Sequence, residues 1–109
     1  MKNELRPARV MHPGFELAHE IKARGWTQEE FALIIGRPYG AVNEIVNGKK
    51  AITPETAIQI GAALQTSAEV WLGMEADYRL WLAEQKVGGS VSAIAARARQ
   101  AEHRRPKAS

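Results

Sequence analysis

Cysteine is absent from all 109 residues, which excludes disulfides, thiolate metal sites and a cysteine nucleophile. Aromatic side chains are few, with three Trp, two Tyr and two Phe. Long apolar runs are missing too. The longest stretches are a few residues each, far short of the roughly 20 that span a bilayer. The opening segment MKNELRPARVMHPG holds no apolar stretch of the signal-peptide kind, so a soluble, cytoplasmic protein is expected. Nothing in the chain alternates polar and apolar residues as a half-buried strand would, which leaves an all-α class. No glycine-rich phosphate loop, ligand cluster or nucleophile beside a base stands out. Neither an enzyme nor a cofactor is expected.

Charge of one sign is scarce in the body of the chain and concentrated at its end. Residues 1–87 carry ten Lys/Arg against eleven Asp/Glu, whereas residues 88–109 carry five against one. The overall charge of +3 therefore resides in the C-terminal tail. A basic tail is compatible with a polyanionic partner, and equally with a solvated segment that aids solubility.

What is present is a series of short helical patterns separated by breakers. His12-Pro13-Gly14 opens the first, with Phe15, Leu17, Ala18 and Ile21 expected inward and Gly25 as its stop. Thr27 opens the second, and Glu30 three residues on completes a capping box. Phe31, Ala32, Ile34 and Ile35 are its expected buried set. Pro38 opens the third, whose inner face is Val42, Ile45 and Val46, and Asn47-Gly48 closes it. Thr53-Pro54-Glu55 opens the fourth with a capping hydroxyl, a proline and an acidic side chain; Ala57, Ile58, Ile60, Gly61 and Leu64 can pack. Ser67 caps a fifth helix running to about Lys86, with Trp71, Met74, Tyr78 and Trp81 at helical spacing. Gly88-Gly89-Ser90 reads as a hinge before an alanine-rich segment that is helical or disordered. The domain reading is an extension over 1–11, a five-helix domain over 12–87, and a basic tail over 88–109.

Residues 28–47, QEEFALIIGRPYGAVNEIVN, carry the function. Two short helices meet at a tight turn: Ala32 is small enough for close backbone approach, and Gly36 sits where a positive φ is needed. Phe31, Ile35, Val42 and Ile45 are apolar where the helices must pack. This is the spacing of a helix-turn-helix. With Val42 and Ile45 inward, the opposite arc of the third helix holds Gly40, Asn43, Glu44 and Asn47, flanked by Tyr39 and Ala41. Tyr39, Gly40, Ala41, Asn43 and Glu44 are the candidate base-facing residues. Asn43 can pair with adenine, Glu44 can accept from cytosine, and Ala41 can touch a thymine methyl. Gln28, Arg37, Asn47, Lys49 and Lys50 are the candidates for backbone phosphates. Arg37 stands where the pattern usually has an apolar residue. With Glu44 on the reading helix and no Lys or Arg along that helix, a lone domain should bind weakly, so a dimer is expected.

Residues 12–81 resemble the HigA (VapI-type) antitoxins of the Xre helix-turn-helix superfamily. The specific pieces are His12-Pro13-Gly14, Asn47-Gly48-Lys49-Lys50-Ala51-Ile52-Thr53-Pro54-Glu55, and Ser67-Ala68-Glu69-Val70-Trp71-Leu72 followed by Tyr78-Arg79-Leu80-Trp81. The resemblance implies a lambda-repressor-like fold, a homodimer on a palindromic operator that represses its own operon, and a HigB/RelE-like mRNA-cleaving toxin as protein partner. Pro38, Gly40 and Glu44 replace the Ser, Thr or Arg often found along the family's recognition helix.

Other signals carry less. His12, Glu16 and His19 have a spacing that could line a metal site, but Pro13-Gly14 puts His12 outside the helix and no further ligand is evident, so no metal is expected. Arg97, Arg99, Arg104, Arg105 and Lys107 could meet DNA, an acidic partner or only solvent. Two other functions compete: a stand-alone or phage-type repressor without a toxin, and an interaction module that no longer reads DNA.

Overall fold

The computed structural model describes residues 11–104; the expected N-terminal extension lies almost wholly outside them, as do Arg105 and Lys107. The order is α1 (Pro13–Ala23), α2 (Gln28–Ile35), α3 (Tyr39–Val46), α4 (Pro54–Leu64) and α5 (Ala68–Arg104). No strand occurs among the described residues, and the chain is all-α. It divides into a unit ending at Arg79 and a second beginning at Leu80.

The boundaries follow from local chemistry. Pro13 starts α1 where its missing N–H costs nothing. Thr27 accepts from the Glu30 amide at 3.0 Å while the Glu30 side chain accepts from the Thr27 amide at 2.9 Å, so the capping box forms as expected. Thr53 caps α4 by the same exchange, with Thr56 as the second member. The Ser67 hydroxyl receives the Val70 amide at 3.2 Å and opens α5.

The first unit closes on one core: Leu17 and Ile21 from α1, Phe31 and Ala32 from α2, Val42 and Ile45 from α3, Ile52, then Ala57, Ile60 and Leu64 from α4, and Trp71 from α5. Trp71 satisfies its indole N–H on the Thr66 hydroxyl at 2.8 Å. Glu75 is buried in the same region, where its carboxylate accepts the Ile52 amide at 3.0 Å and an Arg79 N–H. Those bonds hold α5 against the segment that enters α4, and they satisfy a charge that would otherwise be costly to bury. Arg24 donates to Glu20 at 2.6 Å and to the Leu64 carbonyl at 3.2 Å, tying the end of α1 to the end of α4. The hydrogen bond from Arg24 holds the Glu20 carboxyl below its ordinary range.

Three expectations about burial are corrected. Phe15, Ile34 and Ile58 are exposed, because the buried arc of each helix is narrower than its apolar arc. On α1 it is taken by Leu17 and Ile21, on α2 by Phe31 and Ala32, and on α4 by Ala57, Ile60 and Leu64. A fourth correction concerns length. The expected stop near Lys86 and the hinge at Gly88-Gly89-Ser90 are replaced by unbroken helix to Arg104. Ser90 donates back to the Val87 carbonyl at 2.8 Å, one local bond that accompanies the continuation. In the second unit nearly every side chain is exposed, Trp81 and Ala96 being half-buried. No described helix is long and apolar enough to cross a membrane.

Candidate nucleic-acid interface

The turn between α2 and α3 is made by its glycine. Gly36 takes φ +73°, a conformation that side chains with a Cβ resist, and the Arg37 amide returns to the Ala32 carbonyl at 3.0 Å. Pro38 then caps α3 in an extended conformation, its carbonyl receiving the Ala41 and Val42 amides. With Val42 and Ile45 in the core, the outer face of α3 follows by geometry.

Tyr39, Gly40, Glu44 and Asn47 are exposed, while Ala41 and Asn43 are half-buried. Asn43 organises this surface. Its amide nitrogen donates to Gln28 Oε1 at 3.1 Å and to the Tyr39 hydroxyl at 3.3 Å, and its oxygen accepts from Asn47 at 3.0 Å. Four of the ten candidate residues thus form one hydrogen-bonded ridge from the start of α2 to the end of α3. Gly40 has open space where a side chain would stand.

Past the ridge, the Lys49 and Lys50 amides both bond the Glu44 carbonyl, at 2.8 and 3.1 Å. That turn fixes the backbone of two exposed lysines next to Asn47. The Lys50 ammonium lies 3.9 Å from the Glu44 carboxylate, so Glu44 is partly screened by a neighbouring cation. Arg37 is not brought to the ridge. Its guanidinium donates to Gln59 at 2.5 Å and lies 3.5 Å from Glu55, which directs it to α4.

Two features that place α3 were not assigned from sequence. Gly14 packs directly beneath the end of α3: a Cβ there would lie 2.1 Å from the Ile45 carbonyl oxygen and 2.6 Å from that of Val46. His12 packs against Tyr78 in a tilted arrangement with ring centroids 5.6 Å apart and would touch any side chain added at Gly48, so it links α5 to the turn bearing the lysines. The His12-Pro13-Gly14 triplet was visible as a helix start; its contact with a helix some thirty residues later was not. Glu75 was likewise missed, although an acid at helical spacing with Trp71, Met74 and Tyr78, on an otherwise apolar stripe, was an available signal. Among the described residues no three His, Cys, Asp or Glu side chains come together as a metal-holding group.

A short helix with a polar ridge outward fits the major groove of B-DNA, about 12 Å wide. Amides offer both donor and acceptor to base edges, and the lysines offer charge to phosphates.

Comparison with known proteins finds the same helix-turn-helix fold. Residues 17–71 match the helix-turn-helix family model. Virulence-associated protein I of Dichelobacter nodosus is 35% identical over 85 residues, covering 77% of this chain and 76% of that protein. The solved antidote protein of the HigA family from Coxiella burnetii superposes with a TM-score of 0.74 at 29% identity, over 78% of this chain and 94% of its own. Antitoxin HigA of Pseudomonas aeruginosa, solved with the higBA promoter, gives a TM-score of 0.73 at 27% identity, over 76% and 91%. The chain belongs to the Xre-type helix-turn-helix family, in the group that holds the HigA antidotes and virulence-associated protein I.

Proposed function

We propose that this chain is the antitoxin of a toxin–antitoxin pair, a dimeric repressor of its own operon that also neutralises an mRNA-cleaving toxin encoded beside it. The observation that carries the DNA-binding half is the exposed ridge Gln28–Asn43–Tyr39 with Asn47, on a helix-turn-helix whose relative from Pseudomonas aeruginosa was solved on promoter DNA. In this reading Tyr39, Gly40, Ala41, Asn43 and Glu44 face bases, while Gln28, Asn47, Lys49 and Lys50 meet phosphates on either side. Arg37 braces α4 and reaches the backbone only if it leaves Glu55. The toxin half is supported by the kinship with HigA antidotes.

The test has two arms. Purified protein should bind an inverted repeat upstream of its own gene, with affinity falling as salt rises because phosphate contacts release counterions. Displacement by random-sequence DNA as effectively as by the repeat would reject specific repression. In cells, expression of the neighbouring gene should arrest growth and co-expression of this chain should relieve the arrest. Relief without repeat binding, or binding without relief, would reject one half and keep the other.

A further inference from the structure

The unit that begins at Leu80 carries an apolar stripe in solvent. Leu80, Val87, Val91 and Ile94 are each a little over half exposed, and Ala98 and Ala101 continue the line. From Val87 to Ala101 the steps are four, three, four and three residues, the alternation of a coiled-coil seam. Leu80, Val87, Ile94 and Ala101 take the d position and Val91 and Ala98 the a position, with Glu84 at the first a. Large apolar side chains repeated along one line of a helix mark a contact surface. The helix itself points the same way. Gly88 and Gly89 lie inside it and disfavour helix in isolation, and a helix in a protein draws most of its stability from packing its apolar face.

Charge selects the occupant. In a parallel pair each g position meets the e position of the partner's following heptad, and such pairs set partner and direction. Arg97 is at g and Glu102 at the following e, both exposed. Two copies in register therefore set each Arg97 beside the other copy's Glu102, twice by symmetry. Gly88 and Ala95 at e, with Ala83 and Ser90 at g, keep the rest of the flanks small and uncharged. Reversed, g would face g and e would face e. The charges at g are Arg97 and Arg104 and the charge at e is Glu102, so no opposite charges would meet. An apolar stripe offers nothing to phosphates, whereas the chain supplies its own complement. We propose that residues 80–104 join two copies of this chain in a parallel two-stranded coiled coil. This rests on the dimer of the reading above and adds the surface that joins the copies and their direction.

The test uses the intact protein, followed by sedimentation velocity over a concentration series. Val91→Asp/Ile94→Asp alters exposed side chains only, and thermal melting reports whether the variant folds. It should weaken self-association about ten-fold or more. Arg97→Glu and Glu102→Arg should each weaken it about two- to five-fold, and the two together should restore it, a rescue that a merely local role in the helix would not give. Because the chain has no cysteine, Ala101→Cys supplies its single thiol. Diamide should oxidise two such thiols to an interchain disulfide, since d meets its own equivalent in a parallel pair. Unchanged association in Val91→Asp/Ile94→Asp would overturn the seam and leave the dimer standing on another surface. Loss of toxin or operator binding in that variant, with self-association intact, would give the stripe to that partner and overturn it too. Failure of the combined reversal to restore association, or of the thiols to cross-link, would overturn the parallel pairing. If the unaltered protein stays monomeric at the highest soluble concentration, the dimer of the reading above falls and this proposal with it. If the aspartate pair fails to fold, the charge reversal and the cross-link decide.

Discussion

Asn43 has its side-chain amide committed before any DNA arrives, to Gln28, Tyr39 and Asn47. To pair with a base it must exchange those bonds, and the three partners must find others, so the ridge acts as a unit. Asn43→Ala should cost about 1–3 kcal/mol of operator binding and relax preference at one base position. Combined with Gln28→Ala, the double variant should lose less than the two single losses together, by about 0.5–3 kcal/mol in a double-mutant cycle. Strict additivity would show that the two amides read DNA separately. Lys49→Ala should instead weaken all sequences alike and lower the salt slope by about 1. Uniform losses from both Asn43→Ala and Lys49→Ala would mean the base-facing assignment is wrong. At Glu20 the Arg24 bond depresses the carboxyl pKa. The stabilisation is present above the unfolded pKa and disappears as pH falls through the lower, folded one. Arg24→Met should move the Glu20 titration, followed by NMR, upward, and should lower stability by about 0.5–1.5 kcal/mol, chiefly because the bond to the Leu64 carbonyl is lost with it.

At the scale of elements, α3 is placed by its neighbours more than by its own sequence. Its N-terminus hangs from Pro38 and the Gly36 turn, and its C-terminus rests on Gly14. Gly14→Ala forces a methyl group into the Ile45 and Val46 carbonyls. Thermal unfolding should show a loss of about 1–3 kcal/mol, the usual cost of overpacking, with operator affinity falling because the reading helix shifts. An unchanged melting temperature would mean that α1 slides away at no cost. On α5, Gly88 and Gly89 lie inside continuous helix with nothing near either. Each glycine costs about 1 kcal/mol relative to alanine in such a setting. Gly88→Ala/Gly89→Ala should therefore slow amide hydrogen exchange around residues 86–93, by about five-fold per kcal/mol gained.

At the scale of the molecule, charge is distributed so that residues 1–87 exert little long-range pull on DNA. The near balance over residues 1–87 leaves affinity to local contacts, and the proposed dimer would supply it by joining two weak readers. The two reading helices of a dimer lie about 34–36 Å apart on one face of the duplex. Inserting five base pairs between half-sites turns one of them to the far side and should abolish tight binding, whereas ten should restore part of it. Equal binding to all three spacings would show that each copy acts alone.

Much of this was legible in the chain because it is local. Caps at Thr27 and Thr53, the turn at Gly36, and the opposition of Val42 and Ile45 to the polar arc of α3 depend on residues within a few positions of one another. Helix starts, fold class and the outward arc of α3 therefore followed from sequence, whereas the hydrogen bonds that join Asn43 to Gln28, Tyr39 and Asn47 did not. The rest depended on distance in space. Sequence spacing could not say which arc of an apolar helix would be covered, and Ile34 and Ile58 emerged in solvent because their neighbours filled the core first. Nor could it show that Arg37 would turn to Gln59, that Gly14 would lie against α3, or that the buried Glu75 would receive the Ile52 amide. Periodicity reports a helix's own geometry, whereas burial and hydrogen-bond partners are set by the elements packed against it, which only the tertiary structure supplies.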